Sequence, residues 1–217
     1  YKPASKELVT PPEGLVTETW YTRGSIMAGG SSVGYKVALT VGFDGSDVYV
    51  KGLFEQFPDS WIKGTIADGI ATFSNLQYLG KLYDYFDIWA VGLVFEDNVP
   101  HLMDFRMTYD AEGRVFTALN DLVANTSEDE LSYMSWLTGL KIMAVEPVYP
   151  PVAVPYFNSL QSDEQLEEFT IIDVNDDNCS WAFYNNEGAQ YSYCTYNNGD
   201  DWLITRGIEL KADKAYH

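Results

Sequence analysis

The chain has 217 residues, an aromatic content of 15% that includes 16 tyrosines, and a formal net charge of −19. That length holds one large or two small domains, and so many aromatics mark a chain that folds rather than a disordered one. A surface this acidic repels phosphate backbones and anionic lipid, which argues against nucleic acid as a partner, and no apolar run reaches the roughly 18 residues of a membrane-spanning helix.

Residues 1–13, with Pro3, Pro11 and Pro12 among polar neighbours, read as a linker left after removal of a leader. From 14 to 146 the pattern is that of an antiparallel β module, a barrel or sandwich with meander connections. Val37, Leu39 and Val41 alternate with Lys36, Ala38 and Thr40, and turn chemistry recurs at Phe43–Asp47, Pro58–Asp59, Ala67–Gly69 and Asp110–Gly113. Within this module Tyr78, Tyr83, Tyr85, Phe86 and Trp89 are the densest aromatic cluster, interleaved with Asp84 and Asp87. Such a cluster either lines a ligand cleft, its carboxylates bonding hydroxyl groups, or supplies core from a strand pair. Tyr78, Tyr83, Tyr85 and Trp89 are the ligand-binding candidates here.

One segment carries a helical signature. Ser127 is placed to cap, Glu130 stands at the capping-box position, and Leu131, Met134 and Leu137 recur at three-residue spacing, which predicts a helix over 127–137. A second short helix is expected from Ser162, with Leu166 facing inward. Between them, 147–155 is Pro-rich and predicts an extended, semi-rigid connector to a second module over 156–217.

In that second module strands are expected at 169–174, 180–184, 191–196 and 202–210. Asp173, Asn175 and Asp177 alternate along an acidic loop and, with Asp200 and Asp201, supply hard oxygen ligands of the kind calcium takes, so a structural calcium is the expected cofactor; the same residues also suit a solvated turn. The EF-hand spacing is absent. A four-residue turn at Asn185–Gly188 would set Tyr184 opposite Ala189 and Cys179 opposite Cys194, which admits a disulfide or two separate small core residues. Tyr184, Tyr191 and Tyr193 are further contact candidates, since tyrosine gives contact area at low entropic cost. Trp181 and Trp202 could stack on sugars as aromatic platforms, but their alternation with Phe183 and Leu203 reads rather as core.

These C-terminal motifs, in order Pro155-Tyr-Phe157, Phe169-Thr-Ile-Ile-Asp173, the loop to Trp181, Tyr191-Ser-Tyr193 and Asp201-Trp-Leu-Ile-Thr205, resemble the cleaved-adhesin or choice-of-anchor J domains, MAM-like jelly-roll sandwiches of Bacteroidota surface proteins that include gingipain adhesin regions. Arg206 departs from the family's usual proline. Phe43–Leu53, Trp61–Gly64 and Gln77–Gly80 resemble an all-β module of Bacteroidota surface lipoproteins. The resemblance implies an exported or lipid-anchored protein at the outer cell surface, and about four strands are too few for a complete sandwich, so the expectation is a truncated copy, the alternative being a sheet that packs against the rest of the chain.

Zinc and redox signatures are missing. His101 and His217 are the two histidines, and no H-E-x-x-H or C-x-x-C spacing occurs. The expectation is a non-enzymatic adhesion protein binding a glycan or extracellular protein. The rivals are a carbohydrate-active enzyme or accessory subunit working through a carboxylate pair, and a structural spacer.

Overall fold

A computed structural model describes residues 3–28, 31–172, 174, 181–184, 188–191 and 201–215. The chain forms two compact units, Tyr1–Ser31 with Tyr35–Glu146, and Ser32–Gly34 with Pro147–His217. Its secondary structure is almost entirely β, as the alternation predicts, with a single short helix among the described residues.

The first unit is an eight-stranded antiparallel barrel with extra strands. In chain order its strands are β1 (Thr17–Ala28), β3 (Ala38–Asp44), β4 (Asp47–Lys51), β5 (Trp61–Ala67), β6 (Ile70–Phe73), β7 (Gln77–Leu82), β8 (Phe86–Glu96), β9 (Val99–Met103), β10 (Phe105–Asp110), β11 (Val115–Ala118), β12 (Asp121–Asn125) and β13 (Tyr133–Met143); of β2 (Ser31–Gly34), which follows β1 in the chain, only Ser31 belongs to this unit. Hairpins β3 to β6 follow one another, β10 pairs with β6, β11 with β10 and β13 with β11. Closure comes from β1, which pairs with β3 through Thr17–Tyr21 and with β13 from Tyr21 to Met27. Closing the sheet leaves no barrel edge to recruit another chain.

Alternation then fixes the inside. Trp20, Leu39, Val41, Ile62, Phe73 and Phe116, each at most 2% exposed, share one core. Each such side chain, moved out of water, contributes about 1.5–3 kcal/mol toward folding, the term that offsets chain entropy. Gly24 sits where the β1/β13 register shifts, with φ +153° and a hypothetical Cβ 2.9 Å from the Thr138 carbonyl oxygen, so the bulge leaves no room for a side chain.

Strands β7, β8, β9 and β12 depart from a simple meander and form a flange on β13. The amino-terminal half of β13 pairs with β12, β12 with β8, and β8 with both β7 and β9. Both faces of β8 are covered: Ile88 and Ala90 turn to the barrel core, while Trp89, Val91 and Leu93 join Tyr78 and Val123 in a second cluster on the outer face. Residues 3–8, expected as a linker, instead lie across that outer face. Ala4 N donates to Glu128 Oε2 (2.7 Å), Lys6 Nζ pairs with Asp87 Oδ2 (2.5 Å), and Leu8 bridges to Tyr78.

The helix expected over 127–137 does not form. Ser127 does act as a cap, its Oγ accepting from Glu130 N at 3.3 Å, but the buried Asn125 gathers the loop instead. Its Nδ2 donates to the carbonyls of Ser127 (2.7 Å) and Glu130 (2.8 Å), and its Oδ1 accepts from Ser132 N (2.8 Å). The chain then enters β13, where hydrogen-bonding partners on both edges outweigh the local helical preference.

In the second unit, the expected short helix is present as α1 (Asp163–Glu167), Ser162 Oγ accepting from Gln165 N at 3.2 Å. The described strands form three two-stranded pairs: β14 (Val152–Ala153) parallel to β19 (Ile208–Glu209), β15 (Thr170–Ile172) with β18 (Trp202–Ile204), and β16 (Trp181–Tyr184) with β17 (Gly188–Tyr191). The Pro-rich segment thus contributes β14 to this unit. Arg206 holds it: Nε donates to Pro150 O (2.9 Å), Nη1 meets Glu168 Oε2 (3.3 Å), and the guanidinium lies 5.8 Å from the Tyr149 ring.

Two expectations in this unit need correction. Phe183 pairs with Ala189 and Tyr184 with Gly188, so the register differs by one from that of the four-residue turn. Trp202, expected as core, is 62% exposed, because β18 pairs on one edge with the short β15 and Leu203 points to its other face.

Candidate ligand-binding site

The tyrosine-rich stretch of β7 and β8 folds as a hairpin whose aromatics divide by role. Tyr78 and Trp89 are 8% and 4% exposed and belong to the flange core, their ring centroids 5.9 Å apart. The Tyr78 hydroxyl donates to Asp87 Oδ1 (2.7 Å) and Trp89 Nε1 donates to Ser5 O (3.0 Å), so both polar tips are occupied. Burial, reinforced by the bond to Asp87, pushes the Tyr78 phenol up to about 12. The bonds from Lys6 and then Tyr78 hold the Asp87 carboxyl below its usual range. These two candidates anchor the amino-terminal segment and the hairpin.

Tyr83 and Tyr85 lie outside that core. They occupy the tip between β7 and β8, 76% and 66% exposed, beside Phe86 at 46%, and the Tyr85 and Phe86 centroids are 4.1 Å apart. Tyr85 N donates to Leu82 O (3.3 Å), while Tyr83 and Asp84 have φ of +51° and +64°. This is a type I′ turn, which matches strand twist but needs left-handed backbone at both central residues and so favours Asn-Gly. The same geometry at Asp68-Gly69 and Asp97-Asn98 uses such residues. A tyrosine there carries strain of order 1–2 kcal/mol and places a large ring in solvent, where it contributes little to the fold.

A second aromatic surface lies at the far end of β8, where the sequence gives little signal. Phe95 is 47% exposed and stacks on Trp136 of β13, centroids 5.5 Å apart and planes at 19°. Tyr133, 38% exposed, meets Trp136 nearly edge-on at 5.3 Å and 78°. A register shift between Ala124 and Asn125 brings Tyr133 within reach, as bulges do when they re-aim a side chain. Trp136 Nε1 donates to Asp121 Oδ2 at 2.9 Å. Burial raises the Asp121 carboxyl, with the indole bond acting the other way. A helical reading of 127–137 hides this group, because only strand geometry sets Trp136 beside Val123 and within reach of Phe95.

The other candidates belong to the second unit. Asp201 Oδ1 accepts from Val174 N (3.4 Å), and its Oδ2 is buried with no partner among the described residues. Asp173, Asn175, Asp177, Asp200, Cys179, Cys194 and Tyr193 lie outside the described residues, as do the side chains of Tyr184 and Tyr191. No group of three or more metal-ligating side chains occurs among the described residues, and no helix among them is long and apolar enough to cross a membrane. Compared with protein-family models, curated proteins and solved structures, the chain matches none.

Proposed function

We propose that the protein is a non-enzymatic binding or adhesion protein, secreted or held at the outer cell surface, that engages a glycan or an extracellular protein through the Tyr83–Phe86 hairpin tip. One observation carries this reading: two tyrosines and a phenylalanine stand exposed on a type I′ turn whose first central position is a left-handed tyrosine. The fold gains little from a tyrosine at that position, whereas a partner gains rigid amphipathic rings already held in place, the property that makes tyrosine effective in binding loops. Glycan and matrix-protein arrays probed with the whole chain test it. Binding without turnover, lost in Tyr83→Ala/Tyr85→Ala, is expected; hydrolysis of a polysaccharide on the same arrays would refute it.

Calcium in the second unit is part of the same proposal. The buried Asp201 Oδ2, without a partner among the described residues, supports an ion there, with Asp173, Asn175, Asp177 and Asp200 as the other oxygen donors, because a buried carboxylate oxygen without a donor is costly. The ion would stiffen the acidic loop and neutralise part of its charge.

A further inference from the structure

The Phe95, Trp136, Tyr133 and Asp121 group has a shape that its role in packing does not require. Phe95 and Trp136 are near-parallel, and their 5.5 Å separation exceeds the roughly 3.5 Å of rings in direct face-to-face contact, so they are offset and make a stepped apolar shelf. Tyr133, at 78° to the indole, stands against that shelf as a wall. Both flanking rings remain substantially exposed, although the adjoining Val91, Leu93 and Val123 on the same face are at most 1% exposed. Asp121 Oδ2 is taken by the indole N–H, and Oδ1 has no hydrogen-bond partner among the described residues.

We infer that this corner binds the ring of a neutral pyranose sugar. One face of a pyranose is a patch of C–H groups that lies flat on aromatic rings, and its perimeter carries hydroxyls that donate to a carboxylate oxygen and bond to a phenol. The shelf offers the first surface, and Asp121 Oδ1 with the Tyr133 hydroxyl offers the second. Charge narrows the class: the chain carries −19, and Glu96 and Asp97 follow Phe95 directly, so uronic, sulfated and phosphorylated ligands are repelled. This site is separate from the Tyr83 turn and does not depend on what that turn binds.

Saturation-transfer NMR and tryptophan fluorescence on the whole chain, with malto-, cello-, xylo- and mannohexaose as probes, test the inference. Saturable binding of at least one probe is expected, with transfer strongest to its C–H protons. Phe95→Ala should weaken that binding by about tenfold, the equivalent of one lost ring stack. Asp121→Asn, which keeps an acceptor for the indole, should weaken it while the circular-dichroism melt stays cooperative. No binding of any of the four sugars at millimolar concentration would overturn the inference. So would binding of choline in preference to all four, or loss of the sugar signal in Tyr83→Ala but not in Phe95→Ala, which would assign the sugar to the hairpin tip.

Discussion

Replacing Tyr83-Asp84 with Asn-Gly should make the barrel more stable and a poorer binder. Tyr83 has φ +51° and is 76% exposed, so the substitution releases left-handed strain of about 1–2 kcal/mol while giving up little packing. The ring and backbone together bury about a quarter of the residue, on the order of 50 Å² and therefore at most about 1 kcal/mol at 25 cal/mol/Å². Asp84→Gly adds little, since aspartate tolerates the left-handed region and glycine raises the entropy of the unfolded chain. The expected net gain is about 1 kcal/mol, or about 2–4 °C in melting temperature for a unit of this size. Urea titration followed by intrinsic fluorescence should show a higher midpoint at unchanged slope. The Asp97-Asn98 turn is the control: it has the same geometry with favourable residues, so Asp97→Asn/Asn98→Gly should gain less. A Tyr83→Asn/Asp84→Gly protein that is less stable than wild type, or that binds unchanged, would refute the argument that the turn carries strain for the sake of its ligand.

Other consequences follow from the packing and the charges. A Cβ at Gly92 would stand 2.4 Å from the Asp104 carbonyl oxygen and 2.6 Å from Phe105 N, both backbone, so Gly92→Ala should cost about 3 kcal/mol; Gly64→Ala, whose Cβ meets only the Phe73 ring at 2.9 Å, should cost less, and equal midpoints in urea would contradict this. Asn125→Ala removes three hydrogen bonds from a fully buried site and leaves backbone groups of the 126–132 loop unpaired, which should cost about 2–4 kcal/mol and speed amide exchange at Ser132. The raised Asp121 carboxyl means that the folded state holds its proton more tightly than the unfolded state, so this group favours folding most below the unfolded value near 3.9 and that contribution falls as pH rises through its folded value. The stability of Asp121→Asn relative to wild type should accordingly grow with pH across that window and level off above it, as read from melts at stepped pH; a flat difference would show that burial does not shift this group. Millimolar calcium should raise the melting temperature of the second unit by mass action, and Asp201→Asn should reduce the shift; no shift in the wild type would remove the ion from the proposal.

How much of this was legible without the fold differs by element. Leu39, Val41 and the turns at Asp68-Gly69 and Asp110–Gly113 depend on neighbours within a few positions, and period-two alternation with Gly and Asp between strands is enough to mark them. The same holds for Ser162 capping α1, a contact three residues long. The aromatic cluster from Tyr78 to Trp89 was visible as composition, but its division into anchor and exposed tip was not. That division depends on residues 3–8 folding back to cover Trp89 and on the turn falling at Tyr83-Asp84.

The 127–137 segment shows the limit most clearly. Its capping residues and apolar spacing favour a helix, and the Ser127 cap does form, yet the chain becomes β13 because β1 on one edge and β12 and β11 on the other supply its backbone partners. Those partners come from positions up to more than a hundred residues away, and no local pattern encodes them. The assembly of Phe95, Asp121, Tyr133 and Trp136 into one corner follows from that pairing alone. The sequence by itself determined that this chain is β-rich, acidic and aromatic, since charge and alternation are properties of neighbours. Tertiary structure decided which rings are core and which face solvent, because exposure is set by the strand that lands alongside, and that is a matter of long-range register.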